Sequence, residues 1–361
     1  DLWLVAANWD NNAIPGSATD VLIPENAFTM PVIPTGTAFC HDLILEEGTS
    51  LSMSDNSSLN VYRDMDAYEG QFIMNGSSFL YFSGSEDSFW QTDMSDVYTN
   101  IRVIKDNIGI KAESYGQFQC SGTFEIREGT FLIRQTLTVT NNSATAFEIE
   151  NGGRLEFDSP ISSVESYGDI LCHEESVIFG NGFLRCQGNF IYNAISFTDW
   201  HWRRLFLNGS GDQYIDIANP DFEFDHFTID KPNGICYLKS GDLKTGSLVI
   251  DSGTLCCDNG PSPTATYNVY CSSWFENFVG PSGFDASSST VVFSGWGIES
   301  PNGTEFNILD VNTYYTVLHL YGELSCAEYK WTSGGVEVTE GSVFTAADFP
   351  DFAIRGKFIC N

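Results

Sequence analysis

Gly122-Thr-Phe-Glu-Ile-Arg-Glu-Gly-Thr-Phe131 and Gly246-Ser-Leu-Val-Ile-Asp-Ser-Gly-Thr-Leu255 match position for position, and this repetition decides the fold. Each follows apolar-x-apolar-x-x-Gly, Phe124 and Ile126 before Gly129 and Leu248 and Ile250 before Gly253, as in a short strand that ends at a corner. A third copy, Gly335-Val-Glu-Val-Thr-Glu-Gly-Ser-Val343, fits with one residue removed. Working outward, an aromatic-x-x-apolar-x-apolar frame precedes each copy: Tyr98, Ile101, Val103; Phe224, Phe227, Ile229; Phe306, Leu309, Val311. Further upstream, Phe72 leads to Leu80–Gly84, Phe197 to Leu205–Gly209 and Phe284 to Val291–Gly295. Repetition of this kind predicts a quasi-linear array whose units bury their apolar edges on one another. The expected fold is therefore all-β, a parallel β-helix or β-solenoid with an N-terminal capping segment.

Residues 1–58 read as the cap and first rung, because an uncapped first rung would expose a strand edge and the core. Residues 59–350 read as the solenoid, with three long repeats at about 59–145, 184–257 and 267–346. Residues 351–361 read as a C-terminal strand. Asp258–Thr266 is rich in Gly, Pro, Asn and Ser and predicts a loop projecting between the second and third copies.

With 33 Gly, 28 Phe and 15 Tyr, the chain suits strands joined by tight corners. The formal net charge of −32 argues against nucleic acid, whose phosphates need Lys and Arg. It also disfavours docking on an anionic membrane. Acidic loops suggest calcium, yet neither an Asp-x-Asp-x-Asp-Gly loop nor a Gly-Gly-x-Gly-x-Asp repeat occurs. No cofactor is expected beyond that calcium option. No apolar run approaches the ~20 residues of a spanning helix, so membrane insertion is not expected. The first residues, Asp1-Leu-Trp-Leu-Val5, lack the basic start of a signal peptide; a start without Met suggests a mature chain.

Ten cysteines are scattered: Cys40, Cys120, Cys172, Cys186, Cys236, Cys256, Cys257, Cys271, Cys326 and Cys360. No Cys-x-x-Cys occurs, which removes the usual zinc and redox motifs. Disulfides in an oxidising compartment are one reading. Small hydrophobes stacked inside rungs are the other, and Cys120 and Cys186 fall where strands should point inward. Cys360 reads as a tie for the C-terminus. Of the neighbours Cys256 and Cys257, one is expected inward and one outward, available for a cross-rung or intersubunit disulfide. Asn56, Asn75, Asn141, Asn208 and Asn302 open Asn-x-Ser/Thr sequons and mark surface turns or glycosylation sites.

Several segments resemble units of large secreted repeat proteins found in Bacteroidota and related bacteria. Asn8-Trp-Asp-Asn-Asn-Ala-Ile-Pro-Gly-Ser-Ala-Thr-Asp-Val-Leu-Ile-Pro24 is similar to their opening, in which Asn-Trp and a Pro precede Asp-Asp-Val-x-Ile-Pro. Trp274–Phe278 followed by Gly283–Gly295 resembles a second unit, and Phe227-Thr-Ile-Asp-Lys231 followed by Gly253-Thr-Leu255 a third. The resemblance covers most of the chain. It implies a secreted, right-handed β-helix used as cell-surface or extracellular material, and carries little about activity. This chain is richer in Cys and Phe than those units, and no C-terminal sorting domain is evident.

Catalytic motifs are missing. His41, His173, His201, His226 and His319 form no metal-binding spacing, and no nucleophile elbow or P-loop occurs. The local oddity is Asp199-Trp-His-Trp-Arg-Arg204. In a chain short of cations, Trp200, His201, Trp202, Arg203 and Arg204 form the candidate binding or subunit-contact cluster, since Trp and Arg dominate interface hot spots. The alternative is a corner with Trp packed inward and Arg paired to carboxylates. The expected function is a non-catalytic structural protein, a self-associating subunit of a secreted fibre or surface layer. Its expected partners are copies of itself. The alternatives are a glycan-binding adhesin and a carbohydrate-active enzyme on the same scaffold.

Overall fold

The computed structural model describes residues 2–92, 96–194, 203–338, 342–348 and 358–360. Two compact units are present: residues 1–183 with 194–201, and residues 184–193 with 202–361. Among the described residues the only helical pieces are two 3-10 turns, Ala6–Asn8 and Pro281–Gly283. The remainder is short strands paired in parallel, a β-solenoid as the repeats predict.

In the first unit the strands stack in three parallel ladders. One starts at Val21–Ile23 and Leu43–Leu45 and passes through Ser88–Gln91 and Lys111–Tyr115 to Gly153–Phe157 and Val177–Gly180. A second starts at Gly36–Cys40 and Ser57–Val61 and passes through Phe79–Gly84 and Asn100–Lys105 to Phe147–Ile149 and Ile170–Cys172. The third face holds Val32–Ile33, Ser50–Met53 and Gln71–Met74, and later Val97–Tyr98, Phe118–Cys120, Thr136–Val139 and Ser163–Ser166.

Strand alternation then builds the core. In the second ladder Ala38, Leu59, Leu80, Ile101, Phe124, Phe147 and Ile170 stand in register, each 21 or 23 residues after the last. All seven are fully buried, each full burial of a large side chain being worth about 1.5–3 kcal/mol against the entropy of ordering it. Aromatic rings fill the interior between ladders: Trp90 lies 4.8 Å from Phe82 and 4.3 Å from Phe118, centroid to centroid. The long repeats are thus multiples of a shorter unit, a three-strand rung of just over twenty residues.

The second unit repeats the scheme. Leu205, Phe227, Leu248, Phe275 and Ile298 form one inward column. The step from Leu248 to Phe275 is longer because it holds the expected loop. That loop is a hairpin-like excursion closed by the Asp258–Thr266 bridge and by the Asn259 N–H to Ala265 O bond of 3.1 Å. The aromatic-led frames all point inward: Tyr98, Ile101, Val103, Phe224, Phe227, Ile229, Phe306, Leu309 and Val311 are buried.

Corners are fixed by a device without a motif. Lys105 and Lys231 occupy the same position in the first two copies, and both are fully buried. The Lys105 ammonium donates to Tyr62 O at 3.3 Å, to Ser83 O at 2.8 Å and to the Ser88 hydroxyl. Lys231 donates to Gly209 O at 3.0 Å, Gly211 O at 2.8 Å and Gln213 Oε1 at 2.5 Å. Each lysine thereby satisfies carbonyls of preceding corners that the ladders cannot reach. Gly129 and Gly253 follow at the matching turns with φ of 83° and 84°. A Cβ on either would press on the lysine's own Cβ, at 2.3 and 2.7 Å, so the turn needs glycine for both space and conformation.

The amino terminus covers part of the first rung. Leu2 bridges to Val32, and Trp3 donates its N–H to Val32 O at 2.8 Å. Trp3 is fully buried against Trp9, whose indole donates to Trp3 O at 2.8 Å. Ladder pairing starts at Val21, well inside the segment 1–58 read as cap and first rung.

Candidate functional site

Of the Asp199–Arg204 cluster, Trp200, His201 and Trp202 lie outside the described residues. Arg203 is engaged within its own neighbourhood. Its guanidinium donates to Glu223 O at 2.6 Å and lies 5.7 Å from the Phe222 ring centre, while its N–H meets the Asp225 carboxylate at 2.7 Å. Arg204 opens the strand Arg204–Leu207 beside His226, and burial draws its guanidinium pKa down. The Asp225 carboxylate thus accepts from the Arg203 backbone, while the Arg203 guanidinium is held by a backbone carbonyl and a ring face.

Nine cysteines are described, from Cys40 to Cys326, and all are buried thiols. No disulfide forms among the described residues, which corrects the disulfide expectation for these nine and realises the stacked-hydrophobe reading; the Cys360 side chain lies outside the description. The reason is register. Cys40 heads a column over Val61, Cys120 lies between Tyr98 and Val139, and Cys271 between Thr245 and Phe293, so none of these three stacks on another cysteine. Cys271 donates its S–H to Trp274 O at 3.0 Å, and Cys120 to Thr99 O at 3.3 Å. Burial pushes the Cys120, Cys172 and Cys271 thiols up to about 12. Such thiols are poor nucleophiles. Cys256 and Cys257 are both buried, so the expected outward, bridge-ready member of that pair is not there.

The sequon asparagines sit between rungs, and some have work there. Asn75 donates its amide to Met53 O at 2.9 Å, Asn302 to Phe278 O at 2.6 Å and Asn141 to Ser143 Oγ at 2.8 Å. Asn56 is exposed with φ of 56°.

One group has the spacing of a metal site among the described residues: Asp20, His41 and Asp42. His41 Nδ1 lies 2.9 Å from Asp20 and 3.7 Å from Asp42, with Nε2 3.4 Å from Glu86. Sequence spacing hid it, because stacking brings together residues one rung apart. Its ligand capacity is already used. Arg63 clamps both oxygens of Asp42, and the Asp64 N–H adds a third donor at 3.1 Å. The hydrogen bond to Asp20 raises the His41 pKa, favouring imidazolium. This is a cation–carboxylate network, ill suited to calcium, which prefers oxygen ligands alone.

Several outward-facing acids are paired with cations: Glu125 receives Arg102 at 2.6 Å and Arg127 at 2.9 Å, Glu156 receives Lys111 at 2.9 Å, and Arg134 joins Glu113 and Asp158 in the first unit, while Lys239 reaches Asp216 at 3.1 Å in the second. In the second, Glu276 and Glu299 stand directly in register on adjacent strands. No hydrogen bond or ion pair reaches either from the described residues. No signal in the linear sequence separates these two acids from the rest of the 48.

No family model, curated protein or solved structure matches this chain. Fold and surface together define its class as a parallel β-solenoid.

Proposed function

We propose that this chain is a non-catalytic structural β-solenoid of the extracellular or cell-surface kind, whose copies associate through open strand edges. The observation that carries the reading is the first rung. Val21–Ile23 pairs with Leu43–Leu45 on one side and with no described strand on the other. The open edge borders a groove of about 580 Å³ whose lining includes Leu2, Trp9, Leu22 and Phe28. Leu22 is 51% exposed and Phe28 fully so. An unprotected edge of this kind is a template for strand addition. An extended strand of a second copy fits it, and head-to-tail contacts that do not close produce filaments. The net charge of −32 opposes association, so it requires salt or bridging cations. Among the described residues no helix is long and apolar enough to cross a membrane. Residence outside the cell rests on the resemblance to secreted repeat proteins; burial keeps the nine described thiols inert wherever the chain resides.

Electron microscopy and sedimentation of the purified protein at low and high salt, with and without a chelator, test the reading. Filaments or oligomers at high salt, abolished by Leu22→Lys with Phe28→Asp, are expected. Monomers under every condition overturn it.

A further inference from the structure

One face of the second unit combines aromatic rings with carboxylates that lack partners. It is built from three consecutive strand segments. Trp274 and Glu276 alternate outward around buried Phe275. The next strand pairs Gly297 with Trp274 and Glu299 with Glu276. The strand after that is placed by the His319 N–H to Trp296 O bond of 2.9 Å, and it carries Tyr321 outward. Neighbouring strands lie ~4.8 Å apart, so the three segments span ~10 Å, about the length of a disaccharide.

Gly297 decides how the rings lie. A Cβ there would meet the Trp274 ring at 2.3 Å. The missing side chain lets the indole lie across the adjacent strand. The Trp274 and Tyr321 rings are consequently 6.5 Å apart, centre to centre, and close to parallel at 27°. Tyr321 is 38% exposed and Trp296, which precedes Gly297, is 56% exposed. The result is an aromatic platform of two stacked rings, half-buried Trp274 and exposed Tyr321, bordered by two carboxylates one strand apart.

Glu276 is in an unfavourable state as it stands. Burial raises the Glu276 pKa, and the charges of Glu299 and Asp251 raise it further. In the first unit the protein supplies Arg or Lys to equivalent acids; here none of the described residues does. A ligand cation would relieve the repulsion, and cations also bind aromatic faces. A bare metal ion would leave the platform unused. A neutral sugar would stack without relieving the charge. An acidic polymer would be repelled by the two carboxylates.

We propose that this face binds a polysaccharide bearing free amino groups, with its sugar rings on Trp274 and Tyr321 and its ammonium groups on Glu276 and Glu299. The proposal does not depend on self-association and stands or falls separately from it.

Isothermal titration of the intact chain with glucosamine oligomers, and with fully N-acetylated oligomers of equal length, is the test. Three variants accompany the wild type: Trp274→Ala, Glu276→Gln with Glu299→Gln, and a control, Glu174→Gln with Glu175→Gln, which changes exposed acids of the first unit. The glutamines are isosteric and every substituted side chain faces outward, so unfolding midpoints verify that each variant is folded. The expected result is binding of the amine oligomer that weakens at least tenfold in the first two variants and on N-acetylation, and is unchanged in the control. Equal affinity for the acetylated oligomer overturns the amine requirement. Equal loss in the control shows adsorption of a polycation to an acidic protein and overturns the site. Binding that survives Trp274→Ala removes the platform, and calcium displacing the oligomer stoichiometrically assigns the acids to a metal instead. Absence of binding by the wild type refutes the proposal outright.

Discussion

Replacing Lys105 by Met keeps most of the buried stem and removes only the ammonium. Three hydrogen bonds are lost, to Tyr62 O, Ser83 O and the Ser88 hydroxyl. Hydrogen bonds from a charged donor contribute about 1.5–3 kcal/mol each, for a gross loss of about 5–9 kcal/mol. Against this stands the cost of burying the charge. Burial pulls the Lys105 pKa down from 10.5 to about 8, a shift that corresponds to about 3 kcal/mol. The net expected destabilisation at pH 7 is therefore about 2–6 kcal/mol. The pH dependence has a definite sign. Above pH 8 the folded state releases the lysine proton while the unfolded chain keeps it up to about 10.5, so the unfolded state binds more protons and wild-type stability rises relative to the variant. The gap between the two should widen by about 1 kcal/mol from pH 7 to pH 9. Urea denaturation followed by tryptophan fluorescence measures it, with fully buried Trp90 in the same strand as Ser88, and hydrogen exchange across residues 83–88 supplies a local reading. Solenoids can unfold in parts, so the m-value must match between proteins. A change below about 0.5 kcal/mol, the range of ordinary surface substitutions, would refute the view that lysine staples the corners.

The remaining predictions concern thiols, turns and acid. A thiol reagent should modify at most one of the ten cysteines in the native protein and all ten in urea; rapid native reaction of several contradicts their burial. Folded thiol pKa values lie above the unfolded value of 9.0, so that stability is whole below pH 9 and is lost above it, by up to about 1.4 kcal/mol per pH unit for each thiol; a flat alkaline profile would count against it. Gly129→Ala should cost about 2 kcal/mol or more, from left-handed strain plus the clash with Lys105, whereas Gly48→Ala, with φ of 74° but no atom within 4 Å, should cost only about 1 kcal/mol; equal costs in paired melts would remove the steric argument. Burial alone would raise Glu125, but Arg102 and Arg127 hold its carboxyl below the usual range. Its stabilisation is present above pH 4.5 and fades as pH falls through the depressed folded value, and Glu125→Gln should flatten this part of an acid titration.

Legibility followed the range of the interaction. Inward and outward positions were readable wherever strand alternation set them, as at Phe124, Ile126, Leu248 and Ile250, because a strand's side chains alternate whatever lies above it. The glycine corners at Gly129 and Gly253 were readable for the same local reason. Lys105 and Lys231 were invisible as staples, since an isolated lysine in a sequence carries no sign that three oxygen acceptors will converge on it. His41 with Asp20, and Trp274 with Tyr321, were likewise out of reach because their partners lie one or more rungs away. The cysteines show the middle case: inward placement of Cys120 was legible, but whether it faced sulfur or Val139 depended on register.

The sequence by itself therefore determined the fold class, the corner positions and the surplus of negative charge, all of which follow from short-range pattern and composition. Tertiary structure alone decided which rung lies over which. That register separates acids matched by arginine from the pair left open at Glu276 and Glu299, makes buried thiols of the described cysteines, and sets an indole over the space left by Gly297. The physical reason is that a parallel ladder brings together residues more than twenty positions apart, and a shift of one residue in register would turn every side chain to the opposite face.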